Sequence, residues 1–85
     1  MIRAREANMA LTHLLVLLQL SLNDRTRLCD MAEVLNISSA AVTQLADRME
    51  SLGLVHRCSL RMDRRAWMLE ITDHGFGVLF NIMKP

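Results

Sequence analysis

Ser38-Ser39-Ala40-Ala41-Val42-Thr43-Gln44-Leu45-Ala46-Asp47-Arg48-Met49-Glu50-Ser51-Leu52-Gly53 reads as a helix that carries its own start and stop. Ser38 can take an orphan backbone N–H of the first turn onto its hydroxyl. Val42, Leu45, Met49 and Leu52 recur at spacings of three, four and three, so one stripe is expected to face inward. Ala41 and Ala46 are small enough to let another helix come close. Gly53 suits the left-handed position just past a helix end. Ser39, Ala40, Thr43, Gln44, Asp47 and Arg48 lie opposite the apolar stripe.

Upstream, Met31, Val34 and Leu35 have the i, i+3, i+4 spacing of a short helix that starts at Cys29 or Asp30 and runs to Leu35. Asn36 is expected to stop it in the left-handed region. The tight turn Asn36 to Ser39 then makes a helix-turn-helix. Glu6 to Leu22 predicts a longer first helix. Its Ala10, Leu11, Leu14, Leu15, Leu17, Leu18 and Leu22 cover more than one face, as in a central core helix that can also touch a second subunit. Asn23-Asp24-Arg25 is a turn, and Thr26 to Leu28 a short strand able to pair with a later ribbon.

Downstream, Leu54 to Leu60 and Arg65 to Ile71 read as two strands around the basic tip Arg61-Met62-Asp63-Arg64-Arg65. In the second strand Trp67, Leu69 and Ile71 alternate with Ala66, Met68 and Glu70, and the first set should face the core. Thr72 is expected to cap a last helix, Asp73 to Met83, with Asp73 at its positive end. Gly75 and Gly77 weaken its start. The expected architecture is α+β: a mostly helical winged helix-turn-helix with a small antiparallel β-ribbon wing, one domain over residues 1–85.

Composition bounds the function. The chain has 85 residues, 52% of them hydrophobic, enough for one modest core and too many for a disordered chain. The formal net charge of +1 speaks against nucleic-acid binding unless charge is concentrated locally. It is: Arg57, Arg61, Arg64 and Arg65 are opposed within that stretch only by Asp63. The apolar run Leu14 to Leu22 is far shorter than the ~20 residues a membrane span needs. With no signal-peptide pattern, a cytoplasmic, nucleoid-associated protein with reduced thiols is expected. Cys29 and Cys58 lack the close ligand spacing of a metal site, and His13, His56 and His74 are scattered. Cys29, at a helix start, could have a lowered thiol pKa, but the plainer reading is a small, partly buried hydrophobe. No nucleophile–base set, Gly-rich phosphate loop or carboxylate pair is visible, so no enzyme and no cofactor are expected.

Two features could carry binding. A helix entering the major groove reads bases with its N-terminal half, where Ser39, Ala40, Thr43 and Gln44 lie. Gln44 can pair bidentately with adenine, and Thr43 can meet a base edge or a thymine methyl. Ser38 or Ser39 and the free N–H groups beside them suit a phosphate. Asp47 is unsuited to DNA and could instead orient an arginine at the base of the ribbon. The blander reading is a solvated polar face. At the tip, Arg61, Arg64 and Arg65 suit a minor groove, where guanidinium is favoured by the negative potential. An Asp63–Arg65 pair could shape that turn. Trp67 could stack on a sugar, although covering the ribbon base as core is the plainer reading.

Leu28-Cys29-Asp30-Met31-Ala32-Glu33-Val34-Leu35-Asn36-Ile37-Ser38 resembles the leucine-ser-glu-leucine-ala-x-x-leucine-gly-x-ser stretch of the MarR-type (multiple antibiotic resistance regulator) winged helix-turn-helix family. Val42 to Val55 resembles that family's recognition helix and exit turn. Asp63-Arg64-Arg65-Ala66 and Ile71-Thr72-Asp73-His74-Gly75 resemble its wing tip and the entry to the next helix. The resemblance covers about Leu14 to Leu79. It implies a homodimeric, double-stranded-DNA-binding transcription regulator, a repressor. Ser38, Ser39, Ala40, Thr43, Gln44 and Arg48 on the helix and Arg61, Arg64 and Arg65 on the wing would touch DNA, with Asp63 shaping the wing. Family members usually carry further helices on both sides, for dimerisation and much of the ligand pocket. A chain of 85 residues has no room for them, so a minimal or truncated member is expected, with a small-molecule effector left open. The first helix and the stripe Phe76, Leu79, Phe80, Met83 are the candidate dimer surfaces. The rival is a winged-helix protein–protein interaction module without DNA binding, which the low net charge would suit.

Overall fold

Local chemistry at the element ends sets the course of the chain. The computed structural model describes residues 4–60 and 63–83, with side chains for 11–59 and 67–83. The elements are α1 (Ala4–Asn23), β1 (Arg25–Arg27), α2 (Leu28–Leu35), α3 (Ser39–Ser51), β2 (Val55–Leu60), β3 (Asp63–Ile71) and α4 (Asp73–Met83). The fold is α+β, four helices with a three-stranded antiparallel sheet in the order β1-β3-β2.

Helices α2 and α3 end in the same way. Asn36 sits at φ 55°, ψ 49°, and its N–H and that of Ile37 reach back to Glu33 O and Ala32 O. Gly53 sits at φ 75°, with Gly53 N–H on Glu50 O and Leu54 N–H on Met49 O. Both are paired closures that satisfy the last helical carbonyls and turn the chain sharply. The second turn corrects the expected apolar stripe. Leu52 lies past the last turn of α3 and is 53% exposed; Leu54, which the turn brings back against Met49, is the buried residue. Asp24, at φ 53°, makes the reversal after α1, so Arg25 belongs to the strand and not the turn.

The core is Val16, Leu17 and Leu20 of α1, Met31 and Ala32 of α2, Val42, Ala46 and Met49 of α3, then Leu54, Val55, Leu69 and Leu79. β1 adds a third strand through the pairs Arg25↔Glu70, Thr26↔Leu69 and Arg27↔Met68. In the ribbon, Val55↔Ile71, Arg57↔Leu69 and Ser59↔Trp67 share the face turned to the helices, while His56, Cys58, Met68 and Glu70 share the other. Trp67 was expected on the core side as core. It has the right face but is 46% exposed, two residues farther toward the tip than the buried Leu69.

The α3–β2 turn is latched to the start of α4. Thr72 Oγ1 donates to Gly53 O at 2.5 Å and accepts from Gly75 N–H at 2.9 Å. Thr72 N–H donates to Leu54 O at 3.1 Å. Thr72 is thus the expected N-cap and also a clamp between two distant segments. Gly75, expected only to weaken the helix, is required by this contact. A Cβ there would lie 2.2 Å from Leu54 O and 2.8 Å from Ile71 Cγ1. In α4, Val78 and Leu79 pack on the core, so Leu79 is not part of an outer stripe. Phe76, Phe80, Ile82 and Met83 remain exposed, as do Leu11, Leu15 and Leu22 of α1.

Candidate nucleic-acid interface

Helix α3 divides cleanly between core and solvent. Val42, Ala46 and Met49 are buried, whereas Ser39, Ala40, Thr43, Gln44, Asp47 and Arg48 are all exposed. Ser38 has extended backbone, φ −71° and ψ 158°, and its Oγ accepts from Ala41 N–H at 3.1 Å. That bond uses the oxygen as acceptor and leaves the hydroxyl proton available to an outside acceptor. Thr43 Oγ1 donates to Ser39 O at 3.0 Å. Its proton is therefore committed to the helix, and what it can offer outward is its methyl group and a lone pair. The first turn of α3 contains no acidic residue, so nothing on the chain itself occupies the positive end of the helix dipole. Arg48 lies on the α1 side of this face. Burial first, and then the Arg48 charge, push the His13 imidazole below its ordinary pKa.

The other half of α3 is tied to the wing. Arg57 N–H donates to Glu50 Oε2 at 2.9 Å, and its guanidinium bonds Asp47 and, at 3.5 Å, Glu50. Asp47 does orient an arginine at the ribbon base, as its position suggested. Arg57 therefore leaves the set of free positive charges: two carboxylates neutralise it, and it serves to fix the wing against α3. Arg57 and Glu50 were not read as a pair in the sequence. The signal was there, the acidic i, i+3 pair Asp47 and Glu50 of α3, but its partner lies across a turn.

At the tip, Arg61 lies outside the described residues, as does Met62. Asp63, Arg64 and Arg65 lie on the backbone of β3, and their side chains are outside the described set. The register is informative. Ser59 pairs with Trp67 but the next residue, Leu60, pairs with Asp63. Arg64, Arg65 and Ala66 are thus looped out against a single step of β2. A bulge of this kind bends a strand and re-aims its side chains.

On the face of the sheet away from the helices, Glu70 gathers three partners. Arg25 Nε is 2.8 Å away, His56 Nε2 3.2 Å, and the Cys58 thiol donates to it at 3.1 Å. The Cys58 hydrogen bond is the main cause that holds the Glu70 carboxyl below its ordinary pKa. Burial, then this bond, push the Cys58 thiol up, which disfavours the reactive thiolate. Cys29, expected to be partly buried, is exposed in the first turn of α2, its sulfur 3.9 Å from Asp30 Oδ1. Among the described residues no group of three His, Cys, Asp or Glu is poised to hold a metal ion, and no helix is long and apolar enough to cross a membrane.

Comparison with known proteins agrees with this geometry. The chain is 36% identical over 62 residues to the HTH-type transcriptional repressor MdtR of Bacillus subtilis (strain 168), a match that covers 73% of this chain and 40% of MdtR. Its fold is similar to that of the YusO protein from Bacillus subtilis, with TM-score 0.74 and 33% identity, over 82% of this chain and 49% of that one. It is also similar to AbsC, a MarR family transcriptional regulator from Streptomyces coelicolor, with TM-score 0.80 and 28% identity, over 85% of this chain and 50% of that one. The chain spans half or less of the length of each relative. The MarR family model matches residues 9–67, across α1, the helix pair and most of the wing, and the chain belongs to the MarR family.

Proposed function

We propose that this chain binds double-stranded DNA sequence-specifically and regulates transcription, acting as a repressor in a prokaryotic cytoplasm. The observation that carries this reading is the division of α3: a serine-capped N-terminal half with Ser39, Ala40, Thr43 and Gln44 all exposed, on a helix whose opposite face is core. In the major groove, Gln44 reads a base, the Thr43 methyl meets a thymine methyl, and Ser38 donates to a phosphate. The wing arginines Arg61, Arg64 and Arg65 approach the minor groove, with Asp63 shaping the tip, and Arg48 meets backbone phosphate. The name of MdtR, a transcriptional repressor, supports the same reading.

One helix and one wing make few contacts, so the acting unit is a homodimer with half-sites about 34 Å apart or a multiple of that. The exposed Phe76, Phe80, Ile82 and Met83 of α4, with Leu11 and Leu15 of α1, are the apolar surface available for it. Light scattering should give twice the chain mass, and Phe80→Asp should return it to one. A monomeric mass at high concentration removes the dimer.

Titration of a labelled random duplex at low salt tests DNA binding, and selection from a random pool then gives the preferred site. With four arginines near phosphate, the log–log salt slope should be about −3 to −4 per protomer, roughly a hundredfold loss between 50 and 200 mM salt. Arg64→Ala should make the slope shallower by about one and weaken all sequences alike, whereas Gln44→Ala should change base preference. Absence of duplex binding at low salt would favour the protein-interaction rival.

A further inference from the structure

We propose that Trp67 is itself a duplex contact, its indole packing on the sugar wall of the groove that the wing enters; this rests on the DNA-binding reading above. Trp67 is the single tryptophan of a chain with only two other aromatic residues, both phenylalanine, and it is 46% exposed. Fully burying a large aromatic is favourable by a few kcal/mol, and leaving it half in water forgoes much of that. A place in the core was within reach, since Leu69, two residues away on the same strand and face, is 2% exposed.

The face decides what the indole can meet. The pairs Arg57↔Leu69 and Ser59↔Trp67 put Trp67 on the same side of the ribbon as Arg57. Arg57 is the residue that Asp47 and Glu50 of α3 hold. Trp67 therefore lies on the α3 side of the wing, two residues, roughly 7 Å, nearer the tip than the last core side chain of the strand. Its partner across the ribbon, Ser59, is also exposed. Toward the tip it is followed at once by the looped-out Ala66, Arg65 and Arg64. An aromatic plate on the side of the proposed reading helix, preceded along the chain by two arginines, has the residue types that match both parts of a nucleic-acid backbone. The arginines take phosphate charge, the indole covers the apolar edge of a deoxyribose, and its N–H can donate to a phosphate oxygen. On the other sheet face the Glu70 carboxylate already holds Arg25 and His56, and its negative charge opposes phosphate.

Because the chain has one indole, its emission reports this position alone. The unmodified chain is titrated with a short random-sequence duplex while binding is followed separately by anisotropy of an end label on the DNA. Emission should fall or shift in step with the anisotropy. Trp67→Ala should bind about tenfold more weakly and Trp67→Phe about threefold, the scale of an aromatic contact to nucleic acid. Both factors should be the same at low and high salt, unlike those of the arginine variants, because no counterion is released at an apolar contact. Thermal melts of both variants separate a folding loss from a contact loss. A folded Trp67→Ala chain that binds with unchanged affinity overturns the proposal, whatever the emission does. If the unmodified chain does not bind the labelled duplex at all, the DNA-binding reading fails and this inference falls with it.

Discussion

Gly75→Ala should destabilise the fold by about 3 kcal/mol, the upper part of the range for forcing a methyl group into a packed site. The position looks harmless: alanine is the better helix former, and in an open helix the exchange would add roughly 0.5–1 kcal/mol. Here the added Cβ would stand 2.2 Å from a carbonyl oxygen, Leu54 O. A side chain could rotate away, but a backbone carbonyl can yield only if the chain moves. That carbonyl already accepts Thr72 N–H, and the neighbouring Gly53 carbonyl accepts the Thr72 hydroxyl. The clash therefore loosens the latch between the α3 exit turn and α4. For 85 residues total stability is roughly 4–13 kcal/mol, so the variant should melt about 15 °C lower or more. Gly77→Ala is the matched control. A Cβ at Gly77 meets nothing within 4 Å, and the same exchange two residues away should raise stability by about 0.5–1 kcal/mol. Urea unfolding of the two variants side by side reads the opposite signs. Equal and small effects would mean that α4 stands farther from Leu54 than described.

This latch also marks what the sequence could tell. The fold was legible wherever a residue solves a problem within its own few neighbours. Ser38 and Thr72 cap, Asn36 and Gly53 reverse the chain, and each does so with the local hydrogen bonds its chemistry suggests. Residues whose role depends on a segment far along the chain were read poorly. Leu52 continues the α3 stripe in sequence, yet Leu54 takes the core position because the turn at Gly53 redirects the chain. Trp67 alternates correctly with Leu69, but periodicity gives a face and not how far along it burial extends. Gly75 was a weak helix residue until Leu54 O came into view, 21 residues back along the chain. The candidate site divides in the same way. The polar face of α3 was readable from helical period alone. The neutralising of Arg57 was not, since it needs Asp47, Glu50 and the ribbon base to meet.

Ala40→Glu should abolish duplex binding, by a hundredfold or more, while leaving the chain folded and if anything slightly more stable. The two effects have opposite signs because the same carboxylate meets two different fields. Ala40 is the second residue of α3, exposed, in a first turn with no acidic residue. A glutamate there faces the positive end of the helix dipole and the first-turn N–H groups that Ser38, which already takes Ala41 N–H, leaves uncapped, worth about 0.3–1 kcal/mol of stability. Those groups, with Ser38, are what a DNA phosphate would use in the proposed complex. A carboxylate at Ala40 competes for them, adds like charge against the backbone and fills space beside Gln44. Like-charge juxtaposition at an interface costs several kcal/mol, and about 3 kcal/mol is already more than a hundredfold. Ala40→Ser, similar in size and uncharged, should bind within about threefold of the unmodified chain. Anisotropy of a labelled duplex and a thermal melt on the same samples give both readings. Binding lost together with the fold would say nothing about the interface, so the informative result is a melting temperature held or raised with binding gone. A folded Ala40→Glu chain that grips duplex as tightly as the unmodified one would remove the N-terminal half of α3 from the DNA. Whatever affinity the chain has would then have to come from the wing, where the arginines give charge but no base readout, and sequence-specific recognition by α3 would no longer stand.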